Sequence, residues 1–361
     1  MGTVLVTGGA GFVGTHVLAV LVAAGRQCIS IDNYSNSSPR AIEGVRGLAP
    51  GAIEEFEVDI RDTAGLKKIL AGKNIDSVIH LAGLKSVGES VEFPERYHDN
   101  NVHGTVSLLE ALATTRARKF VFSSSATVYG MAETMPIPEA APSAPQNPYG
   151  QTKLDVERLL VGLARSDPSW RVANLRYFNP VGAHESGMIG EDPAGVPNNL
   201  MPYVCQVAAG RREALRIFGN DYPTPDGTGI RDYIHVVDLA EGHVKALEYL
   251  DGNPLPGPLP RERGNLGRLA GERENVENVF TVNLGTGRGY SVLELVETFE
   301  RVNGVRVPRV FTERRPGDVA VCYADCSRAK EVLGWTARRG LEEMCRDAWR
   351  WQRMNPDGYR R

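Results

Sequence analysis

Short apolar runs alternate with amphipathic stretches along the first half of the chain. The apolar runs are typical of buried strands and lie at 3–7, 28–32, 55–59, 77–80, 119–123 and 171–176. Between them, apolar positions recur at helical spacing, as at 14–24, 63–72, 101–114 and 149–164. Strands that alternate with helices predict an α/β fold of the Rossmann type, a doubly wound parallel sheet with helices on both faces.

The sequence pattern changes at residue 179. From there, segments rich in Gly, Pro and Asn separate short helical patterns at 198–210, 291–303 and 327–333. Two later segments, a helical one at 236–250 and a strand-like one at 279–284, suit the main sheet. We therefore expect a sheet domain over 1–178 to which these segments return, and a smaller C-terminal α/β domain over 179–361. Residues 251–278 show no periodicity and are predicted to form a flexible insertion.

Composition narrows the function classes. The 361 residues include 41 basic and 44 acidic side chains, a net charge of −3. This balance predicts no nucleic-acid or membrane partner, so any anion must be bound by a few placed groups. The chain opens on a strand-like run rather than a leader, and its longest apolar stretch, 17–25, is shorter than the roughly 20 residues of a membrane span.

Cysteine usage points to a reducing compartment. The five cysteines are odd in number, widely spaced and free of a Cys-x-x-Cys pair. A disulfide framework and a zinc site are therefore not expected, and no metal is predicted. We expect a cytoplasmic protein.

A glycine array follows the first predicted strand, with Gly8, Gly11 and Gly14 in the sequence TGGAGFVG. Such glycines permit a tight turn, let the backbone approach a pyrophosphate and allow the following helix to pack closely on the strand. The helix N-terminus supplies amide donors and the positive end of a dipole. The strand–turn–helix context predicts a dinucleotide site here rather than a simple turn.

Two acidic residues at predicted strand ends bear on the choice of dinucleotide. Asp32 closes the second strand, 18 residues after Gly14, where a carboxylate can bind ribose hydroxyls and repel a 2′-phosphate. This favours NAD over NADP, and the alternative is that Asp32 only caps a loop. Asp59 ends the third predicted strand and either faces the adenine or caps the next helix.

Tyr149 and Lys153 are spaced by four residues on a predicted helix, and Ser125 ends an earlier strand. Positions i and i+4 share a helix face, so the Lys153 ammonium can lower the pKa of the Tyr149 phenol from its reference near 10. The phenolate would be a general base at neutral pH, with Ser125 donating to or relaying a proton from the same substrate oxygen. The alternative is a surface pair beside a polar strand end.

Several long segments resemble the extended short-chain dehydrogenase/reductase family, and within it the enzymes that invert C4 of UDP-hexoses. They are VTGGAGFVG (6–14), LAGLKSVGES (81–90), DNNVHGT (99–105), FSSSATVYG (122–130), LRYFNPVGAH (175–184), PNNLMPY (197–203), FGNDYPT (218–224) and DGTGIRDYIH (226–235). The resemblance covers nearly the whole chain. It implies reversible epimerisation through a 4-keto sugar and transient NADH, with NAD unchanged at the end.

The resemblance also implies two sets of binding residues. The side chains around NAD would be Phe12, Val13, Asp32, Asn33, Asn36, Asp59, Ile60, Leu81, Lys85, Asn100, Tyr149, Lys153 and Phe178. Those around the UDP-sugar would be Lys85, Ser125, Tyr149, Asn179, Asn199, Leu200, Phe218, Arg231, Arg315, Asp318 and Cys322. Local cations such as Arg231 and Arg315 suit a diphosphate in a protein of near-neutral charge.

The chain departs from the family pattern at two places. Cys322 stands where the family often has a Tyr that narrows the sugar pocket, which predicts turnover of UDP-GlcNAc and UDP-GalNAc as well; the alternative is that the loop shifts and Cys322 is a small filler. The 251–278 insertion is longer than is usual, which puts local contacts in doubt but not the chemistry.

Two other functions share parts of this sequence pattern. An NAD-dependent nucleotide-sugar 4,6-dehydratase needs a further acid and base, and such enzymes resemble Thr-Asp-Glu where this chain has Ser125-Ala126-Thr127. A catalytically silent NAD sensor would not need a polarised phenol.

By the resemblance, a homodimer would pair through the helices after Asn100 and around Tyr149, although the same apolar positions suit packing on the sheet.

Overall fold

The structure is a computed structural model that describes residues 2–49, 51–252, 277–315 and 317–359. Most of the predicted 251–278 insertion, residues 253–276, therefore lies outside the described residues. The strands are β1 Thr3–Thr7, β2 Cys28–Asp32, β3 Ile53–Glu57, β4 Ile75–His80, β5 Lys119–Ser125, β6 Arg171–Tyr177, β7 Asn179–Val181, β8 Leu215–Phe218, β9 Ile230–Arg231, β10 Tyr233–His235, β11 Val279–Leu284, β12 Tyr290–Ser291, β13 Arg309–Thr312 and β14 Val321–Cys322.

The helices connect these strands and cover both faces of the main sheet. They are α1 Phe12–Ala23, α2 Arg40–Leu48, α3 Thr63–Leu70, α4 Val87–Glu92, α5 Pro94–His98, α6 Gly104–Leu112, α7 Pro148–Ser166, α8 Leu200–Ala208, α9 Val236–Gly252, α10 Val292–Asn303, α11 Ser327–Leu333 and α12 Leu341–Met354. A π-helical turn, Asp99–His103, leads into α6, and a 3₁₀ turn, Ala126–Tyr129, follows β5. None of the helices in the described ranges is long and apolar enough to span a membrane.

Seven strands form one parallel sheet in the order β3-β2-β1-β4-β5-β6-β11. Buried residues of α1, α2 and α9 form one apolar core against the sheet, and those of α3, α6 and α7 form another on the opposite face. This architecture confirms the predicted doubly wound parallel sheet. The strand order reverses between β1 and β4, so the crevice for a dinucleotide opens at the carboxyl ends of these two strands.

The second half of the chain divides between the sheet and a separate core. Helix α9 packs against α1, and β11 pairs with β6 at the sheet edge. The remaining short strands form three small sheets, β10-β7, β12-β9-β14 and β13-β8. Helices α8, α10 and α12 bury a third apolar core beside them. Residues of β7, β9 and β14 are thereby carried to the region beyond the carboxyl end of β6.

Among the element boundaries that differ from the sequence prediction, two lie at the candidate site. Strand β3 ends at Glu57, so the expectation that Asp59 ends this strand is wrong. The Asp59 carbonyl already accepts a hydrogen bond from the Asp62 amide, and Asp62 then caps α3. The predicted helix at 101–114 begins earlier, with the π turn at Asp99–His103, and ends at Leu112. Such turns are often found at functional sites.

Candidate active site

The glycine turn between β1 and α1 is shaped by close contacts. Gly8 has a φ of +66°, and a Cβ there would lie 2.7 Å from the Ala82 amide nitrogen. A Cβ on Gly14 would lie 2.1 Å from the Gly8 carbonyl oxygen. A Cβ on Gly11 would meet only that same carbonyl, at 3.2 Å, so this side of the turn is open. The turn thus packs tightly on the protein and leaves its outer side free for a ligand.

The N-terminus of α1 fits the pyrophosphate of a dinucleotide. No side chain caps the helix at Gly11, and no acidic residue lies in its first turn. The amide groups at this end, with the half-buried Phe12 and Val13, are therefore suited to an anion. The residues present fit NAD at this position.

Asp32 lies at the end of β2 with its carboxylate anchored by three donors. One oxygen accepts from the Ala10 amide at 3.1 Å, and the other accepts from the Tyr34 amide and the Ser37 hydroxyl at 3.0 and 2.7 Å. Burial raises the pKa of Asp32, while these hydrogen bonds oppose the shift. A fixed carboxylate beside the glycine turn suits ribose hydroxyls and disfavours a 2′-phosphate.

The Asp59 carboxylate is engaged by protein groups. It accepts hydrogen bonds from Arg61 Nε and Nη2, both at 2.9 Å, and from Asn33 Nδ2 at 2.9 Å. The Arg61 hydrogen bonds are the largest cause of a lowered Asp59 pKa. Asp59 therefore orders the Asn33 side chain and the Arg61 side chain, and Asn36 lies exposed in the turn after β2.

The other candidate NAD residues surround the ends of β4, the π turn and β6. Leu81 follows β4 and its amide donates to the Thr7 hydroxyl at 3.2 Å. Asn100 donates to Asn101 Oδ1 at 2.9 Å, and Asn101 also holds the Leu84 backbone. The remaining two apolar candidates, both buried, are Ile60 and Phe178.

Ser125, Tyr149 and Lys153 are brought together where β5 ends beside the first turns of α7. The Ser125 hydroxyl lies close enough to the Tyr149 phenol to lower its pKa, and Thr127 donates to Ser125 Oγ at 3.0 Å. Lys153 Nζ donates to the Ser123 carbonyl at 2.8 Å and lies 5.8 Å from the centre of the Tyr149 ring. Asn147 caps α7 and Pro148 occupies its first turn, which sets where Tyr149 enters the site.

The electrostatics of this group differ from the sequence expectation. Burial raises the pKa of Tyr149 to about 12, against the opposing effect of the Ser125 hydrogen bond. Burial also lowers the pKa of Lys153 to about 8. The expected net lowering of the Tyr149 pKa by Lys153 therefore does not hold for the protein chain alone, because the desolvation of the buried phenol is the dominant cause of the shift.

The candidate diphosphate residues form one connected group in the second half of the chain. Arg231 lies 3.6 Å from the Asp318 carboxylate, and the Asp318 amide donates to the Arg315 carbonyl at 3.2 Å. The Arg315 guanidinium stacks on the Phe218 ring at 3.8 Å. Cys322 pairs in register with Arg231 across β14 and β9. Two cations, an aromatic face and a thiol are thus held together by the small sheets.

A second group links the two halves of the chain. Asn199, at the N-cap of α8 before Leu200, donates to Glu191 Oε1 at 2.6 Å. Lys85 donates to the same oxygen at 3.2 Å. Asn179 opens β7, where its amide bonds to the Asp232 carbonyl. Sequence reasoning missed Glu191, because it lies in an aperiodic Gly-Glu-Asp-Pro segment and its partners are distant in the chain.

No cluster of His, Cys, Asp or Glu among the described residues is arranged to hold a metal ion. The group assembled around Tyr149 is instead suited to proton transfer beside a dinucleotide.

Comparisons with known proteins agree with this geometry. A family model described as GDP-mannose 4,6 dehydratase matches residues 5–348. The UDP-glucose 4-epimerase of Bacillus subtilis is 52% identical over 357 residues, which cover 99% of this chain and 98% of that protein. These matches extend over both halves of the chain.

Solved structures give the same result. The UDP-glucose 4-epimerase of Stenotrophomonas maltophila, solved with bound NAD and formylated UDP-arabinopyranose, has a TM-score of 0.89 at 45% identity. The enzyme of Bifidobacterium longum, solved with NAD⁺ and UDP, has a TM-score of 0.89 at 47% identity. Each alignment covers 99% of both chains. The chain therefore belongs to the family that the matching model describes and, within it, to the UDP-glucose 4-epimerases.

Proposed function

We propose that this protein interconverts UDP-galactose and UDP-glucose by inverting C4 of the sugar, with NAD as a bound cofactor. The observation that carries the proposal is the assembly of Ser125, Tyr149 and Lys153 at the carboxyl edge of the sheet that also forms the glycine turn. Membership of the epimerase family supports the same reaction.

Tyr149 is the base of the proposed reaction. Its phenolate removes the proton of the sugar 4-hydroxyl, directly or through Ser125, and later returns a proton to the same oxygen. NAD⁺ supplies, when bound, the acceptor and later the donor of the C4 hydride, together with a positive charge. A positive charge favours the phenolate, which the buried Tyr149 needs because its pKa in the chain alone is about 12.

Inversion requires that the 4-keto sugar present its opposite face before the hydride returns. The nucleotide must therefore be held firmly while the sugar stays loosely held. Arg231 and Arg315 are suited to the diphosphate, and the Phe218 face to the base or ribose. Lys85 and Asn199, which both donate to Glu191, are further candidates for contact with the UDP-sugar. The polar anchors then act on UDP rather than on the hexose.

We also propose turnover of the N-acetylated pair, UDP-GlcNAc and UDP-GalNAc. Cys322 packs at the edge of the buried cluster that contains Phe178 and Val128, beside the segment that follows Ser125. Its side chain is smaller than the Tyr that the family often has there. The space so left at C2 of the sugar supports an N-acetyl group.

A 4,6-dehydratase is not favoured, although the matching family model bears such a description. Elimination of water across C5 and C6 needs an acid and a base beside the ketone. The segment after β5 offers instead Ser125, Ala126 and Thr127, whose two hydroxyls bond to each other at 3.0 Å. A silent NAD sensor is disfavoured as well, since it would not require a buried Tyr–Lys–Ser group.

A homodimer in the cytoplasm fits two further observations. Half-buried apolar side chains lie on α6 and α7, among them Val106 and Leu159, and these positions suit a second copy of the chain. All five cysteines are free thiols, which agrees with a reducing compartment. The assembly is checked by the molar mass of the purified protein in solution.

The test of the proposed reaction uses the full chain as purified. The nucleotide released on denaturation is identified, and UDP-galactose is then added without external cofactor while UDP-glucose is followed by NMR. We expect bound NAD and an equilibrium mixture of the two sugars. A 4-keto-6-deoxy sugar would identify a dehydratase, and an unchanged UDP-galactose signal would refute catalysis.

A further inference from the structure

Three successive serines at the end of β5 each contact a different residue of α7. Ser125 lies beside the Tyr149 phenol, whose pKa it lowers, and the Ser123 carbonyl accepts from Lys153 Nζ at 2.8 Å. Ser124, which the proposed reaction does not use, donates to Glu157 Oε1 at 2.5 Å. The three α7 residues are spaced by four positions and share one face of the helix. The third contact therefore ties the same strand end to the same helix face as the two proposed catalytic contacts.

Glu157 also binds the neighbouring strand. Arg176 of β6 donates to its two oxygens from Nε at 2.8 Å and from Nη2 at 2.5 Å. Arg176 is paired with Ser124 in the β5–β6 register, so one carboxylate joins both strands to α7 at a single level. The next register pair is Ser125 with Tyr177. The ion pair thus lies one residue below the proposed catalytic serine.

The pair continues into the packing behind the site. The Arg176 guanidinium lies 4.9 Å from the centre of the Tyr129 ring and donates to the Glu139 carbonyl at 3.4 Å. The Tyr129 hydroxyl donates to Asn283 Oδ1 of β11 at 2.6 Å. Three neighbouring strands and α7 are therefore linked through one buried polar network.

Burial of the Glu157–Arg176 ion pair costs free energy. The side chains of Glu157 and Arg176 are only 7% and 8% exposed. A buried ion pair is often no more stabilising than apolar residues of the same volume, because both charges lose their hydration. What a two-pronged Arg–carboxylate contact adds is alignment, since both hydrogen bonds form only in one relative orientation. Here the aligned parts are the helix and the strand end that meet at Tyr149.

We propose that Glu157 and Arg176 form a positioning pair that, through Ser124, sets α7 against the end of β5 and keeps the Tyr149 phenol beside Ser125. Neither residue touches the substrate. The proposal rests on the proposed function for its catalytic consequence, but the positioning itself has an independent readout. The Ser125 hydrogen bond lowers the pKa of Tyr149, so a lost contact must raise it.

The sharpest variant is Ser124→Ala in the full, NAD-loaded protein. It removes the hydrogen bond from Ser124 to Glu157 and leaves the Glu157–Arg176 pair intact, so we expect the fold to be retained. We expect kcat for UDP-galactose to fall about tenfold or more, with KM within about twofold, because small misplacements of reacting groups are costly. Glu157→Gln should lower kcat further, since an amide cannot accept from both prongs of Arg176.

The ionisation of Tyr149 separates positioning from simple destabilisation. It is read as the phenolate absorbance of each variant minus that of the same variant carrying Tyr149→Phe. We expect a higher pKa of Tyr149 in Ser124→Ala and in Glu157→Gln. The matched control is Asp238→Asn, which breaks a buried carboxylate–arginine pair with Arg339 next to Leu341–Met354. This control should lose thermal stability with an unchanged titration and kcat.

The outcomes are distinguishable. An unchanged titration of Tyr149 in both variants, with kcat within twofold of wild type, would overturn the positioning role even if the melting temperature falls. A raised pKa of Tyr149 in a protein whose wild type does not convert UDP-galactose would support positioning and refute the proposed reaction.

Discussion

Tyr149 is the residue on which the proposed chemistry depends. It lies buried where α7 begins, beside Ser125 and near the Lys153 ammonium. Burial disfavours the charged form of both side chains, because it raises the pKa of Tyr149 and lowers the pKa of Lys153. Neither charged form is therefore stable without support from its surroundings. The Tyr149 phenolate becomes the base only in the complete site, where positive charge and hydrogen bonds favour the phenolate over the phenol.

Removal of the phenol hydroxyl should abolish the proton transfer. In Tyr149→Phe we expect kcat for UDP-galactose to fall by roughly 10²- to 10⁴-fold, the usual contribution of a general base. Bound NAD should be retained, as measured by its release on denaturation. The matched control is Tyr249→Phe, whose ring packs against Phe280 on the sheet. Equal losses in both variants would mean that the hydroxyl of Tyr149 has no special role.

Removal of the lysine charge should shift the pH profile. In Lys153→Met the phenolate of Tyr149 loses a nearby cation, so the pKa of Tyr149 rises and the acid limb of kcat moves to higher pH. In the wild type, kcat should also decline above about pH 8, where Lys153, with its pKa near 8, loses its proton. The measurement is kcat between pH 6 and pH 10. An acid limb at the same pH in both proteins would contradict this role.

At the scale of elements, the glycine turn and α1 form the most constrained part of the cofactor site. Gly14→Ala should displace the turn, because its Cβ would lie 2.1 Å from the Gly8 carbonyl. We expect loss of most of the bound NAD, measured by its content in the purified protein. Gly88→Ala is the control, since a Cβ there meets nothing within 4 Å. NAD content equal to wild type in Gly14→Ala would show that the turn does not bind the dinucleotide.

The hydrophobic pattern predicted the elements of the sheet well and the rest of the chain less completely. Strands β2 and β11 and helix α11 have the predicted bounds, because each is a compact apolar or amphipathic run between turn residues. The two-residue strands such as β9 and β14 were not predicted, since they depend on pairing with distant segments. The π turn at Asp99–His103 was also missed, because it does not follow the 3.6-residue period.

The residues of the candidate site also divide into those that local spacing predicted and those that only the folded sheet brings together. The spacing of Tyr149 and Lys153 on one helix is local, and it predicted their proximity. The pairing of Glu157 with Arg176 and of Glu191 with Lys85 and Asn199 depends on the folded sheet, so no spacing in the sequence indicates it. The pKa of Tyr149 was misjudged for a similar reason, because burial is a property of the whole fold.

On the scale of the whole molecule, the sheet holds the candidate cofactor residues and the small sheets hold the candidate UDP residues. The two sets meet beyond the carboxyl ends of β5 and β6. A pocket built between a rigid sheet and short strands can change its substrate range through a single side chain. Cys322 is the residue at which we expect this.

Filling the pocket at Cys322 should separate the two substrate pairs. Cys322→Tyr should lower kcat/KM for UDP-GlcNAc by about tenfold or more and leave that for UDP-galactose within a few fold, because the larger ring competes with the N-acetyl group for space. Cys326→Ser, at the edge of the same buried cluster, is the control. A wild type that turns over UDP-galactose briskly but not UDP-GlcNAc would refute the predicted breadth.

The central claim is that a hydride leaves C4 of the sugar and returns to the same carbon without exchange with water. UDP-galactose labelled with deuterium at C4 tests it directly, with the purified protein in ordinary water and no added cofactor. The account predicts UDP-glucose that retains the deuterium at C4, as read by mass spectrometry and NMR. UDP-glucose that carries solvent hydrogen at C4 would contradict it.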